Sequence, residues 1–259
     1  MSKAKRKNEI YWAPTPRYIL RRYLVEKLLQ GIKARDFAEV GPASGDILER
    51  LLTNGLKGTA VEISEKAYES LAQKFDDKAE IKLIHGDFFD LEGQYDLVLA
   101  LEVLEHLSDD REGLRKFYSL LRPEGTLLLS VPAHKRKWGP CDVLSGHLRR
   151  YEREEMVEKL TGAGFKSIQV WCYGFPLMNA LKPFIELGSA IALWMDQRSL
   201  AERTEASGHS RVARGLKFLM KDSLFKPACL LQELFLNTDL GVDYLVKAGR
   251  KTELNRNRG

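Results

Sequence analysis

The stretch Phe37-Ala38-Glu39-Val40-Gly41-Pro42-Ala43-Ser44-Gly45-Asp46 decides how this chain folds. Phe37 to Val40 is a short apolar run, the pattern of a buried strand. Gly41 to Gly45 is a turn framed by glycines, and Asp46 to Leu52 carries apolar residues at helical spacing. Gly41 permits a tight turn, and Gly45 permits a positive φ or close packing of the next helix. The start of that helix offers unpaired N–H groups and a partial positive charge to a ligand. A glycine turn between strand and helix also reads as plain structure, so its neighbours must decide.

Outward from this turn the alternation continues. A helix is predicted over Ile19 to Leu29. A strand follows at Gly58 to Ile63, then a helix at Ser64 to Phe75 with Ser64 as N-cap. Strands are predicted at Ile81 to His85, Tyr95 to Leu101, Thr126 to Val131 and Lys166 to Tyr173. Helices lie between them at Arg111 to Leu121, closed by Pro123 and Gly125, and at Arg153 to Thr161, closed by Gly162 and Gly164. Strands alternating with helices imply βαβ units, a parallel sheet and helices on both faces. Ligands in such α/β folds bind beyond the carboxyl ends of the strands.

The residues at those ends are chemically informative. Glu62 ends the second strand, where a carboxylate can accept hydrogen bonds from both hydroxyls of a ribose; it also reads as a surface glutamate. Ile63 follows it. Asp87, after the third strand, can accept from an adenine amino group, with Phe88 covering the ring. Leu101, at the end of the fourth strand, brings backbone to the same place. The spacing separates two cofactor classes. A dinucleotide fold wants G-x-G-x-x-G, because the middle glycine lets a pyrophosphate approach the backbone. Ala43 stands there, and a cofactor without phosphate tolerates its methyl group.

The run from Glu39 to Gly45, Glu62, Asp87 and the run from Tyr95 to Leu107 together resemble the class I, Rossmann-like S-adenosylmethionine methyltransferases. Leu121-Arg122-Pro123-Glu124-Gly125-Thr126 is similar to that family's turn before its fifth strand. Within the family the chain is similar to bacterial type 11 and type 12 methyltransferases, which carry a segment like Val131-Pro132-Ala133-His134, Trp138, Asp142 and Gly146-His147-Leu148-Arg149-Arg150-Tyr151. Pro42 and Ala43 depart from the family, which more often has Cys and Gly there. The resemblance spans roughly residues 11–175, and residues 241–251 look like its last strand. It implies a doubly wound, seven-stranded Rossmann-like α/β sheet and S-adenosylmethionine as cofactor. The methionine end would lie near Gly41 to Gly45, the ribose on Glu62 and the adenine near Asp87, and no metal is implied. Glu39, Gly41, Gly45, Glu62, Ile63, Asp87, Phe88 and Leu101 are therefore the expected cofactor residues.

The reaction expected is an in-line displacement at a sulfonium methyl. Proximity and exclusion of water can supply much of its rate, and a base is needed only if the acceptor must lose a proton. His134, His147 and Tyr151 follow the fifth strand and are candidates for that role; the same loop also reads as structural, its histidine and arginines bonding backbone carbonyls. His106 reads as packing or capping a helix. Two rival readings are a catalytically silent methyltransferase-like binding protein, which the intact Glu39, Glu62 and Asp87 disfavour, and a nicotinamide-dependent oxidoreductase, which Ala43 disfavours.

Four segments are expected: a basic N-terminal segment and helix (1–30), the cofactor-binding core (31–175), a helical cap inserted between the last two strands (176–239), and the last strand with a polar tail (240–259). The insertion carries two apolar stripes, one through Phe184, Ile185 and Ile191 to Trp194, the other through Val212, Leu216, Phe218 and Leu219, joined by a loop from Thr204 to Ser210. They are expected to bury over the acceptor site or to rest on a membrane.

The 259 residues carry a net charge of +5, much of it in Lys3, Lys5, Arg6 and Lys7 and in Arg250, Lys251, Arg256 and Arg258. Such ends read as solvated termini or as attraction to anionic lipid or nucleic acid. Cys141, Cys172 and Cys229 form no C-x-x-C pair, which argues against a disulfide framework or structural zinc and fits a cytoplasmic, at most membrane-peripheral, protein. No secretory signal pattern follows the basic start, and the longest apolar run, Leu187 to Met195, is far short of the roughly 20 residues of a spanning helix. No aromatic-rich RNA-binding appendix and no base-amino methyltransferase motif is visible. The expected acceptor is therefore a small or lipid-linked molecule and not a nucleic acid.

Overall fold

In a computed structural model the chain is described over residues 14–195 and 222–251. The basic N-terminal end, Arg256 and Arg258, the loop at Thr204 to Ser210 and the second apolar stripe lie outside the described residues; Arg250 is no solvated end, since its Nη1 donates to Tyr118 O and Leu121 O at 3.1 and 2.7 Å. Helix α1 (Pro16–Leu29) starts with Pro16 at its first position and with Thr15 Oγ1 accepting from the Tyr18 amide at 3.2 Å. Then follow β1 (Asp36–Val40), α2 (Asp46–Thr53), β2 (Lys57–Glu62), α3 (Glu65–Lys74), β3 (Ile81–His85), β4 (Tyr95–Leu101), α4 (Asp110–Ser119), β5 (Leu121–Pro132), α5 (Pro140–Ser145), α6 (Arg153–Gly162), β6 (Lys166–Tyr173), α7 (Leu177–Met195), α8 (Asp222–Glu233) and β7 (Asp243–Gly249). Ser64 caps α3 as its position predicts, its Oγ accepting from the Ala67 amide at 3.3 Å.

The seven strands form one sheet in the order β3-β2-β1-β4-β5-β7-β6, parallel except for β7, which runs antiparallel between β5 and β6. The chain steps outward from β1 to β3 and then returns to place β4 on the other side of β1. That reversal makes the β1/β4 boundary a switch point. Val40 lies opposite both Val61 and Ala100, and Glu62 lies opposite His85, so the carboxyl ends of four strands finish together.

Central strands buried on both faces should be apolar throughout, and they are. In β4, Val98 and Ala100 enter one core with Leu127, Leu129, Phe117, Tyr151 and Tyr244. Leu97 and Leu99 enter the other with Leu20, Leu24, Phe37, Leu48 and Leu128. Two boundaries depart from expectation. Helix α4 stops at Ser119, and β5 begins at Leu121 instead of Thr126. The Tyr95 amide donates to Leu120 O at 2.8 Å, and Arg122 pairs with Asp36 and Asp96 at 2.6 and 2.8 Å, so the chain is claimed by the sheet before the glycine turn. Helix α5 went unread because it is only six residues long.

The insertion splits in its behaviour. Helix α8 is core: Gln232 donates to Leu20 O and accepts from the Gly174 amide, each at 3.2 Å, and Cys229 and Leu236 are buried against α1. Helix α7 packs on α5 through polar groups. Lys182 Nζ donates to Lys137 O at 2.9 Å, and Glu186 Oε2 accepts from the Cys141 amide at 3.0 Å. Of the two readings of its apolar stripe, burial over the acceptor site and contact with a membrane, the first does not hold among the described residues: Phe184 is 73 % exposed and Trp194 88 %.

Candidate cofactor and acceptor site

At the end of β1 the chain turns with positive φ at Gly41 (64°), Ala43 (48°) and Gly45 (67°). The two glycines are required for different reasons. Gly41 sits in the left-handed region, where a side chain is strained. Gly45 shares that region and is also overrun by α3: a Cβ there would lie 2.6 Å from Leu71 Cδ2 and 2.7 Å from Phe75 Cε2. The turn is clasped by Glu62, whose Oε2 accepts from the Ala43 amide at 3.1 Å and whose Oε1 accepts from the Ser64 amide at 3.0 Å. Burial pushes the Glu62 pKa up, while these amides and that of Ile63 pull it down. Each oxygen keeps a lone pair for a further donor. Ile63 beside it is 69 % exposed.

Glu39 is the least satisfied group in this region. It is 4 % exposed, its Oε2 has no hydrogen-bond partner, and burial, with Asp46 nearby, pushes its pKa up to about 8. A buried acid with a free oxygen suits a cationic ligand group. Helix α1 crosses the same edge of the sheet. Tyr18 and Arg22 each donate to Asp46 Oδ2 at 2.9 Å; Arg17 Nε donates to Asp243 Oδ2 at 2.6 Å, and its Nη2 to Glu102 Oε2 at 2.5 Å. Against the burial that opposes ionisation, Arg17 and Arg21 hold Glu102 down at about 2.

Asp87 is exposed, with Oδ1 accepting from the Phe89 amide at 3.0 Å. Phe88 departs from expectation. Its ring is buried, 5.1 Å from Phe117 and 4.4 Å from Phe89 by ring centroids, and it serves the core instead of covering a ligand ring. Leu101 ends β4 half-buried.

After β5 a second cluster forms. His147 Nδ1 lies 2.9 Å from Asp142 Oδ1, and Arg150 Nε donates to both Asp142 oxygens at 2.8 and 2.9 Å. Burial opposes the Asp142 charge, but the His147 and Arg150 hydrogen bonds win and hold its pKa at about 2. His147 Nε2 faces Glu105 Oε1 at 3.8 Å. Glu105 is fully buried, neither oxygen has a hydrogen-bond partner, and burial followed by the nearby Glu102 charge drives its pKa well up. His106 Nδ1 lies 3.2 Å from Gly146 O; burial and then His147 lower its pKa to about 4, so it is neutral at pH 7. Glu105, His106 and His147 each offer a ligand atom within 4.8 Å of the others, as do His134, Cys172 and Asp239. The first group has the donor types that divalent metals accept; the second has Arg153 and Lys137 beside it, which oppose a cation.

Of the three base candidates, His147 alone has an ordered carboxylate on one nitrogen and an acid facing the other. Tyr151 is a correction: it is fully buried, its hydroxyl donates to Leu104 O at 3.4 Å, burial drives its pKa far up, and its backbone pairs with Pro132 and His134. His134 is 3 % exposed, set between Glu152, Tyr244 and Cys172, with its pKa lowered by burial. Arg17, Arg21, Glu105 and Asp243 were not singled out from sequence. The four-residue spacing of the two arginines on one helix face was the available signal.

Comparison with known proteins defines the class. Residues 38–127 match the family model described as a methyltransferase domain. The fold extends well beyond that segment. The [4+2]-cyclase SpnF superposes with a TM-score of 0.62 over 95 % of this chain and 86 % of its own, at 16 % identity. Haemonchus contortus phosphoethanolamine N-methyltransferase 2, solved with S-adenosyl-L-methionine, gives 0.57 over 90 % of this chain and 53 % of its own, at 15 % identity. Residues 38–127 thus match a methyltransferase domain, and the chain has the Rossmann-like fold of the class I methyltransferases. Among curated proteins it is similar to the ubiquinone biosynthesis O-methyltransferase of Rickettsia bellii, 25 % identical over 121 residues, which are 44 % of this chain. The aligned part spans about half (50 %) of that relative's length.

Proposed function

We propose that this protein transfers the methyl group of S-adenosylmethionine to a small acceptor. The observation that carries the reading is the buried, half-unpartnered carboxylate of Glu39 beside the Gly41–Gly45 turn, with Glu62 and exposed Ile63 at the adjoining strand end. Glu62 and Asp87 place carboxylates at the ends of β2 and β3, and Glu39 takes on its charge when a cation meets it. A pyrophosphate there would meet repulsion, whereas an ammonium and a sulfonium meet attraction. This favours S-adenosylmethionine over a nicotinamide dinucleotide. Glu39 would hold the ammonium, Glu62 would accept from the ribose hydroxyls through its remaining lone pairs, and Ile63 and Asp87 would hold the adenine. When bound, the cofactor supplies an electrophilic methyl on a leaving group that needs no protonation.

The chain's own contribution is orientation and proton transfer. Asp142 and Arg150 fix the His147 ring with Nε2 turned toward Glu105 at 3.8 Å, and an imidazole so held takes the proton that an oxygen or nitrogen acceptor must lose. The curated relatives favour an oxygen acceptor. Helix α1, whose Arg17, Tyr18 and Arg22 cross the sheet edge, excludes water from that side of the site. The cyclase on the same fold shows why the reaction must be tested directly. The experiment incubates the purified chain with methyl-labelled S-adenosylmethionine and fractions of cell extract. Label should enter a small-molecule or lipid fraction, and His147→Asn should lower that rate about 100-fold, within the usual range for a general base, with cofactor affinity unchanged. Absence of transfer to any fraction would leave a binding protein as the answer.

A further inference from the structure

Helix α7 is built inside out. Its two charged residues, Lys182 and Glu186, pair at 2.6 Å on the face that meets α5, and Ser189 and Met178 are its buried residues. The opposite face carries Phe184 (73 % exposed), Leu187 (62 %), Ile191 (54 %), Trp194 (88 %) and Met195 (72 %), spaced as one helical stripe with no charge among them. A stripe of that kind left in water marks a contact surface.

We propose that this stripe lies flat in the headgroup region of a lipid bilayer rich in anionic lipid. Among the described residues no helix is long and apolar enough to cross a membrane, so α7 lies in the interface plane. A bilayer fits better than a protein partner because the stripe offers almost no hydrogen-bonding group. A protein interface carries roughly one hydrogen bond per 100–200 Å². The single polar atom on the stripe is the indole nitrogen of Trp194 at its end, and tryptophan is the side chain that settles at headgroup depth. Charge complementarity points the same way. The chain is +5, and the turn Lys135-Arg136-Lys137 adjoins α7 through the Lys182 bond, with Trp138 44 % exposed after it. Because α7 packs on α5, which carries Asp142, docking brings the His147 side of the molecule to the bilayer. An amphiphilic acceptor would then reach that side without leaving the lipid.

The test uses the full chain and two vesicle preparations, phosphatidylcholine alone and phosphatidylcholine with phosphatidylglycerol, at physiological salt. Co-sedimentation should be at least tenfold stronger with the anionic vesicles. The double variant Leu187→Asp, Ile191→Asp should lose at least tenfold of that binding while keeping its thermal unfolding temperature. Acyl chains brominated near the headgroup should quench a tryptophan signal that Trp194→Phe removes, a readout that needs no charged variant. Equal binding to both vesicles overturns the anionic preference, and no binding to either overturns the proposal. A dimer that dissociates in the double variant and ignores vesicles would assign the stripe to a second copy. A monomer whose Trp194 is shielded from iodide without lipid would assign it to the chain's own cover.

Discussion

Glu39 and Glu62 both end strands at the carboxyl edge, and they differ in what satisfies them. Glu62 is bound to two amides, so it holds the glycine turn even without ligand. Glu62→Ala should weaken S-adenosylmethionine binding by about 1.5–3 kcal/mol, the scale of hydrogen bonds to a charged group. Calorimetry of Glu62→Gln, which keeps one acceptor for the turn, separates ligand contact from turn geometry. Glu39 is raised from 4.5 to about 8 by burial. The unfolded chain therefore binds fewer protons than the folded one between those values. Its contribution to stability is present below about pH 4.5 and is lost as pH rises through about 8. Denaturation of the ligand-free protein should show this fall, and Glu39→Gln should flatten it; an unchanged slope would place the proton elsewhere. Cofactor binding should also release a proton from Glu39 near pH 7, visible as a buffer-dependent binding enthalpy.

At the scale of elements, the turn between β1 and α2 serves two purposes. Gly45→Val would drive a branched side chain into Leu71 and Phe75 at a positive φ, and should cost about 2–4 kcal/mol of stability from overpacking and backbone strain. Gly41→Val has more room, its nearest contact being Val103 Cγ2 at 3.2 Å, and should chiefly destroy cofactor binding. Thermal unfolding and calorimetry on the two variants distinguish the cases, and an unaltered melting temperature for Gly45→Val would contradict the packing argument. The strands and most helices were legible because each strand is an apolar run closed by a turn residue. What escaped depended on distant partners. β5 starts early because Arg122 finds Asp36 and Asp96, and Phe88 turns inward because Phe117 makes room for it. Glu105 gave no signal of its own, since its burial against His147 follows from how the loop after β5 folds back.

For the whole molecule, α1 and α8 act together as a strap across the sheet. Arg17 joins β4 to β7 through Glu102 and Asp243, and Asp243 is 1 % exposed. Arg17→Ala should therefore destabilise the protein by about 3–5 kcal/mol, because a buried carboxylate loses its partner. A denaturation midpoint close to the native one would show that water replaces the guanidinium. Removing residues 176–239 as one piece should destabilise the fold, because Gln232 bonds both Leu20 O and the Gly174 amide.

S-adenosylmethionine is proposed to bind at the ends of β1 and β2. Titration calorimetry of the purified chain with S-adenosylhomocysteine, S-adenosylmethionine and NAD tests it most directly. One-to-one binding of both adenosyl compounds, none of NAD, and affinities about 10- to 150-fold weaker in Glu62→Ala are the predicted results. No heat with either adenosyl compound, or NAD binding that depends on Glu62, would contradict the account.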